Sequence, residues 1–285
     1  MIDRLARTFA ACSQQHRAAL VTFVTAGDPD PATSPLILDA LVRGGADIVE
    51  IGMPFTDPMA DGPAIQAGNI RALGGGVTLV KVLAMVADFR TRDVETPLIL
   101  MGYFNPILAY GPDKFARDAH AAGLDGCIVV DLPPEEDAEL APALSGHGLH
   151  LIRLATPTTD VRRLPTIVSG ASGFIYYVAV AGITGANAAT ADDIGAAVAR
   201  IKAATTMPVA VGFGIRTPQA AAAVARVADA VVVGSAIVEL IGAAYAARTN
   251  DAPGQVETFV ASLAAAVRAA RQKPARIARR PEHAA

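Results

Sequence analysis

The 285-residue chain has little of what several common chemistries need. Its two cysteines, Cys12 and Cys127, are too few and too dispersed for a disulfide framework or a thiolate metal site. Only four lysines occur, Lys81, Lys114, Lys202 and Lys273, all in helical patterns or in the tail. None ends a strand pattern, which disfavours a Schiff-base aldolase. The five histidines, His16, His120, His147, His150 and His283, show neither i, i+4 pairing nor a shared strand end, so a metal-dependent aldolase lacks its ligands. There is no G-x-S-x-G elbow. "GGG" at 74–76 lacks the Gly-Lys-Ser/Thr of a P-loop, and the G-x-G within 207–216 is an incomplete dinucleotide fingerprint. A formal charge of −3 gives no electrostatic case for nucleic acid or an anionic membrane. No apolar run reaches the ~18 residues of a membrane span, and "MIDRLARTFAACSQQ" has no signal-peptide core. The expectation is a soluble cytoplasmic protein.

What is present is apolar and regular. Hydrophobic residues make up 52% of the chain, enough for a sizeable core. Eight short Val/Ile/Leu-rich runs recur: "ALVTFVTAGD", "DIVEIGMPF", "PLILMGYFNP", "GCIVVDLPPE", "HLIRLATPT", "GFIYYVAVAG", "MPVAVGFGI" and "DAVVVGSAI". Their brevity and their Gly, Pro, Asp or Thr borders suit strands covered on both faces. Ala-rich helical patterns lie between them, among them "PLILDALVRGG", "KFARDAHAAG", "EEDAELAPALSGHG" and "PQAAAAVARVAD". This alternation predicts an α/β protein, a single (β/α)8 TIM barrel. The runs from Asp47 and Pro97 stand about fifty residues apart, and "DGPAIQAGNIRALGGG" in that gap predicts an extra short helix after strand two. "MIDRLARTFAAC" predicts an extra N-terminal helix plugging the opposite end, with Leu5, Phe9 and Cys12 packed inward. The expected organisation is one barrel domain over residues 1–271, and over 272–285 a basic, proline-broken tail without order.

Active sites of such barrels sit on the loops after the strands. The polar groups at those ends are Glu50, Asp61, Tyr103, Asn105, Asp131 and Tyr176, an inventory suited to acid–base work without metal, Schiff base or redox cofactor. Ile48, Glu50 and Gly52 share one face of their strand, so Glu50 points inward at the barrel mouth, where burial raises a carboxyl pKa. A structural carboxylate held by an arginine or backbone donors is the alternative. Asp57 also fits a turn before Pro58, and Asp61 fits an N-cap of the added helix better than a catalytic group. "AGITG", "GFGI" and "GSAI" end strands six to eight, and Gly182, Gly185, Gly212, Gly214 and Gly234 permit positive φ and close backbone approach. With Ser235 opening the last helix, these turns predict a phosphate site.

"DIVEIGMPFTDPMADGPAIQ" resembles the signature of the tryptophan synthase α subunit family, the indole-3-glycerol phosphate lyases. The resemblance extends from residue 1 to about 271 through "VTFVTAGDPD", "ILMGYFNPI", "IVVDLPPEE", "YYVAVAGITGA", "VAVGFGI" and "VVGSAIV". It implies retro-aldol cleavage of indole-3-glycerol phosphate to indole and glyceraldehyde 3-phosphate. Glu50 is then the acid–base residue, Asp61 the acceptor for the indole N–H, and Tyr176 their support. Phe23, Tyr103, Leu154, Thr184 and Phe213 would line the indole pocket, and Gly185, Gly214, Gly234 and Ser235 would hold phosphate. Pro54, Asp57, Asn105, Asp131 and Pro133 would lie toward a β subunit carrying pyridoxal phosphate, in an α2β2 heterotetramer, with no cofactor in this chain. "AVAGITGA" would be a lid, although Ala179 and Val180 stand where the family usually places Tyr-x-Val-Ser or similar. Two other readings are a stand-alone lyase releasing free indole and a silent phosphate-binding regulatory subunit.

Overall fold

The eight apolar runs pair in parallel and strictly in chain order, the last closing on the first. The strands are β1 (Ala19–Thr25), β2 (Ile48–Gly52), β3 (Leu98–Gly102), β4 (Gly126–Val129), β5 (His150–Ala155), β6 (Ile175–Val178), β7 (Val209–Gly212) and β8 (Ala230–Val233). Around them run α1 (Arg4–Gln14), α2 (Ser34–Arg43), α3 (Pro63–Gly74), α4 (Leu79–Arg90), α5 (Phe104–Tyr110) and α6 (Pro112–Ala122). The second half adds α7 (Ala141–Gly146), α8 (Leu164–Val168), α9 (Ala191–Lys202), α10 (Pro218–Ala225), α11 (Ser235–Ala246) and α12 (Ala252–Ala269). This computed structural model describes residues 3–179, 190–212, 214–249 and 251–272. The predicted (β/α)8 barrel is therefore present, with both extra helices, α1 and α3.

Because a parallel barrel strand is covered on both faces, each strand carries two apolar layers. Val49 and Ile51 face outward to the helices, in one cluster with Leu98, Leu100, Val231 and Val233. Ile48 faces inward with Val21, Ile99, Ile128, Ile152, Ala210 and Val232. Helix α1 closes the floor of that inner layer. Asp3 caps it by accepting from the Ala6 N–H at 2.9 Å, and Leu5, Phe9 and Cys12, at helical spacing, are buried on one face. The Phe9 and Phe174 rings meet at 5.7 Å between centroids.

Three elements depart from the sequence expectation. "EEDAELAPALSGHG" is not one helix: a 3₁₀ turn, Pro134–Glu139, breaks before α7. Pro142 provides the cause, since it supplies no N–H and disfavours the helical conformation at Ala141, so it fits only a first turn. Helix α5 was hidden within a stretch that reads as strand end and proline turn. Ser235 opens α11, but α11 is not the last helix; α12 follows and packs on α2, α10 and α11. At its end the Arg271 guanidinium donates to the Ala225 and Ala228 carbonyls, tying the chain back to α10. The tail expected over 272–285 lies, beyond Gln272, outside the described residues. No single helix among the described residues is long and apolar enough to cross a membrane.

Candidate active site

Glu50 is a carboxylate in the middle of the buried, otherwise apolar strand β2. It pairs in register with Phe23 of β1 on one side and Ile99 of β3 on the other, and it is 0% exposed. Neither carboxylate oxygen has a hydrogen-bond partner among the described residues, so no arginine or backbone donor holds it as a structural ion. Burial alone pushes its carboxyl up to about 8. A buried carboxyl with no partner persists only where it is kept neutral or serves chemistry. Tyr176, on the inner layer of β6, is close enough to feel it: burial first, and then the Glu50 charge, hold the phenol well above its ordinary range.

Asp61 lies above Glu50's strand, in the loop between β2 and α3. It does not cap α3; the N-cap is Gly62 and no side chain bonds there. Instead Asp61 Oδ2 accepts from Asn69 Nδ2 at 3.2 Å, from a side chain eight residues later and 3% exposed. Burial raises the Asp61 carboxyl, and hydrogen bonds from Asn69 and Tyr103 oppose that rise. The two acids thus occupy different surroundings, one fully buried with no partner among the described residues and one hydrogen-bonded. Asp61, Asn69, Phe23, Tyr103 and Gly52 line a single small cavity at the mouth. Tyr103 also accepts from the Ala60 N–H at 3.1 Å, fixing the loop that carries Asp61. Asn69 is absent from the sequence expectation. The available signal was an amide on the buried face of α3, beside Gly68 and Ala72.

Two of the strand-end glycines stand against large side chains. Of Gly212, Gly214 and Gly234, only Gly214 has a positive φ, at 78°. The others clear room for large side chains: a Cβ on Gly212 would lie 2.2 Å from the Tyr176 hydroxyl oxygen, and one on Gly234 3.2 Å from Phe23 Cβ. Gly52 does the same for the Phe23 ring, at 2.5 Å. Gly234 is the N-cap of α11 with no capping side chain, and Ser235 is its first residue. The first N–H groups of such a helix have no intrahelical acceptor and favour an anion. Thr184, Gly185, Gly182, Val180 and Phe213 lie outside the described residues, as does most of the lid; Ala179 is buried.

A family model described as tryptophan synthase alpha chain matches residues 9–268. The chain belongs to the tryptophan synthase alpha chain family. The tryptophan synthase alpha chain of Rhizorhabdus wittichii is 60% identical over 274 residues, covering 96% of this chain and 100% of the relative. That of Novosphingobium aromaticivorans is 59% identical over 272 residues, covering 95% and 99%. The crystal structure of tryptophan synthase subunit alpha from Legionella pneumophila superposes with a TM-score of 0.87 at 40% identity, covering 94% of this chain and 99% of that one.

The remaining positions implied by the tryptophan synthase alpha resemblance cluster on the same rim. Leu154 packs with the inner layer of the barrel. Asp57, Asn105 and Pro133 are exposed, while Asp131 is half-buried and accepts from the Phe104 N–H at 2.8 Å. Pro54 is buried and presents no surface of its own, so among these five positions it shapes the loop rather than the outer face. No group of three metal-ligating side chains occurs among the described residues.

Proposed function

We propose that Glu50 and Asp61 divide the proton chemistry of this site between them. As a tryptophan synthase alpha chain, the protein is a carbon–carbon lyase that cleaves indole-3-glycerol phosphate and works with a β subunit. The observation that carries the assignment is the fully buried Glu50 carboxyl, without a partner among the described residues, which at neutral pH starts protonated. It gives its proton to indole C3, making the ring an electrophilic iminium. The resulting carboxylate then takes the proton of the substrate hydroxyl on the carbon attached to C3. As that oxygen becomes a carbonyl, the C–C bond breaks and its electron pair returns to the indole ring. Indole and glyceraldehyde 3-phosphate leave, and the carboxyl ends as it began.

Asp61, kept hydrogen-bonded and more easily ionised, accepts from the indole N–H and stabilises the positive charge that C3 protonation creates. Tyr176 supports Glu50 from β6. Phe23, Tyr103 and Leu154, with Thr184 and Phe213, form the indole pocket. Gly214, Gly234 and Ser235, with Gly185, receive the phosphate at the start of α11. Asp57, Asn105, Asp131 and Pro133, around Pro54, face the β subunit, which holds pyridoxal phosphate within an α2β2 heterotetramer; this chain itself needs no cofactor. Residues 1–271 act as one domain, and the enzyme works in the cytoplasm.

The test is indole release from indole-3-glycerol phosphate with and without β subunit. Strong activation by the partner is expected. Full turnover from the isolated chain would make it a stand-alone lyase, and none under either condition would make it a silent subunit.

A further inference from the structure

Asn69 stands between two points that pin α3 to the barrel. One residue before it, Gly68 lets the helix approach the loop after β1: an added Cβ would lie 3.0 Å from Asp28 Oδ2 and 3.1 Å from Thr25 Oγ1. Two residues after it, Arg71 forms a bidentate pair with Asp28, from Nε at 2.6 Å and Nη2 at 2.9 Å. Asp28 is wholly buried in that pair. A planar guanidinium fork on a carboxylate fixes orientation as well as distance. The helix is therefore seated immediately on either side of Asn69, whose own side chain reaches Asp61.

An ionised carboxylate can only accept, so the Asn69 group facing Asp61 Oδ2 is the amide N–H. We propose that Asn69 is a positioning residue for the lyase reaction, holding the Asp61 carboxylate in the orientation that receives the indole N–H, with the Asp28–Arg71 pair as the anchor of the helix that carries it. This rests on the reading of Asp61 given above. Asn69 touches no reacting atom; it acts through Asp61. It also explains an otherwise odd feature, a nearly fully buried amide on a short helix that the basic barrel plan does not require. An apolar residue there would pack as well, but it would leave Asp61 free to rotate.

A double-mutant cycle on the complex with β subunit decides between positioning and bulk structure. With Asp61 intact, Asn69→Ala is expected to lower kcat about 10- to 100-fold with KM changed far less, the size of a geometric misplacement. In an Asp61→Asn background the same change is expected to cost less than about 3-fold, because the group it orients is gone. Asn69→Asp keeps the side-chain volume, loses the donor and adds a like charge, and serves the same cycle if the alanine variant does not fold. Equal losses in both backgrounds would show a merely structural residue and overturn the inference, as would an unimpaired Asn69→Ala beside an impaired Asp61→Asn. A fully active Asp61→Asn would instead remove the role of Asp61 itself, and the inference with it.

Discussion

The Tyr176 hydroxyl occupies the space that a Cβ on Gly212 would need, 2.2 Å from its oxygen. The strand-end glycine of β7 is thus a fixed vacancy for a side chain of β6, its neighbour in the barrel. Gly212→Ala should push Tyr176 out of place beside Glu50 and lower kcat. Overpacking of this kind also costs about 1–3 kcal/mol of stability. Gly74→Ala, where an added Cβ meets nothing within 4 Å, is the matched control and should leave both unchanged. Parallel kinetics and thermal melts of the two variants check this.

Glu50 should make the protein less stable as pH rises. Its carboxyl sits near 8 when folded and near the ordinary 4.5 when unfolded. Below 4.5 both states are protonated and Glu50 is neutral to stability. Between 4.5 and 8 the unfolded chain gives up the proton while the folded one keeps it, so the folded state loses ground by up to about 1.4 kcal/mol per pH unit. Above 8 the loss is complete. Glu50→Gln lacks this titration. Its melting temperature should exceed that of the parent at pH 8.5 by more than at pH 5, and a constant difference across that range would contradict the assignment.

The Asp28–Arg71 pair should behave as a buried ion pair. Arg71→Met strands a wholly buried carboxylate and should cost about 3–5 kcal/mol. The double variant Asp28→Asn/Arg71→Met removes the stranded charge and should recover much of that loss in a denaturant titration.

The floor of the barrel should be separable from its mouth. Leu5 is 0% exposed at the opposite end from Glu50. Leu5→Ala should cost about 2–5 kcal/mol of stability while leaving kcat of the folded protein near that of the parent. A large fall in kcat at a temperature well below the melt would show that α1 reaches the chemistry.

Much of this molecule was legible in the chain. Short apolar runs with turn borders identify barrel strands because both faces are buried, and Glu50 stands out because a carboxylate in such a run has no cheap explanation. Other features were not legible for physical reasons. Asp61 before Gly62-Pro63 carries the local pattern of a cap, and only the three-dimensional approach of Asn69 shows that its partner is a side chain two turns later. The glycines after β7 and β8 read as flexible turns because sequence records the missing Cβ but not its reason. At Gly212 the reason is the Tyr176 hydroxyl, a contact across two strands. The break before α7 depended on one proline, Pro142, inside an otherwise helical composition.

The most direct measurement is indole formation by Glu50→Gln in the presence of β subunit, with folding checked by circular dichroism. Glutamine fills the same buried volume but cannot pass a proton, so turnover should fall by at least about 100-fold, the lower end of what general acid–base catalysis supplies. A folded Glu50→Gln protein with near-parental turnover would contradict the account.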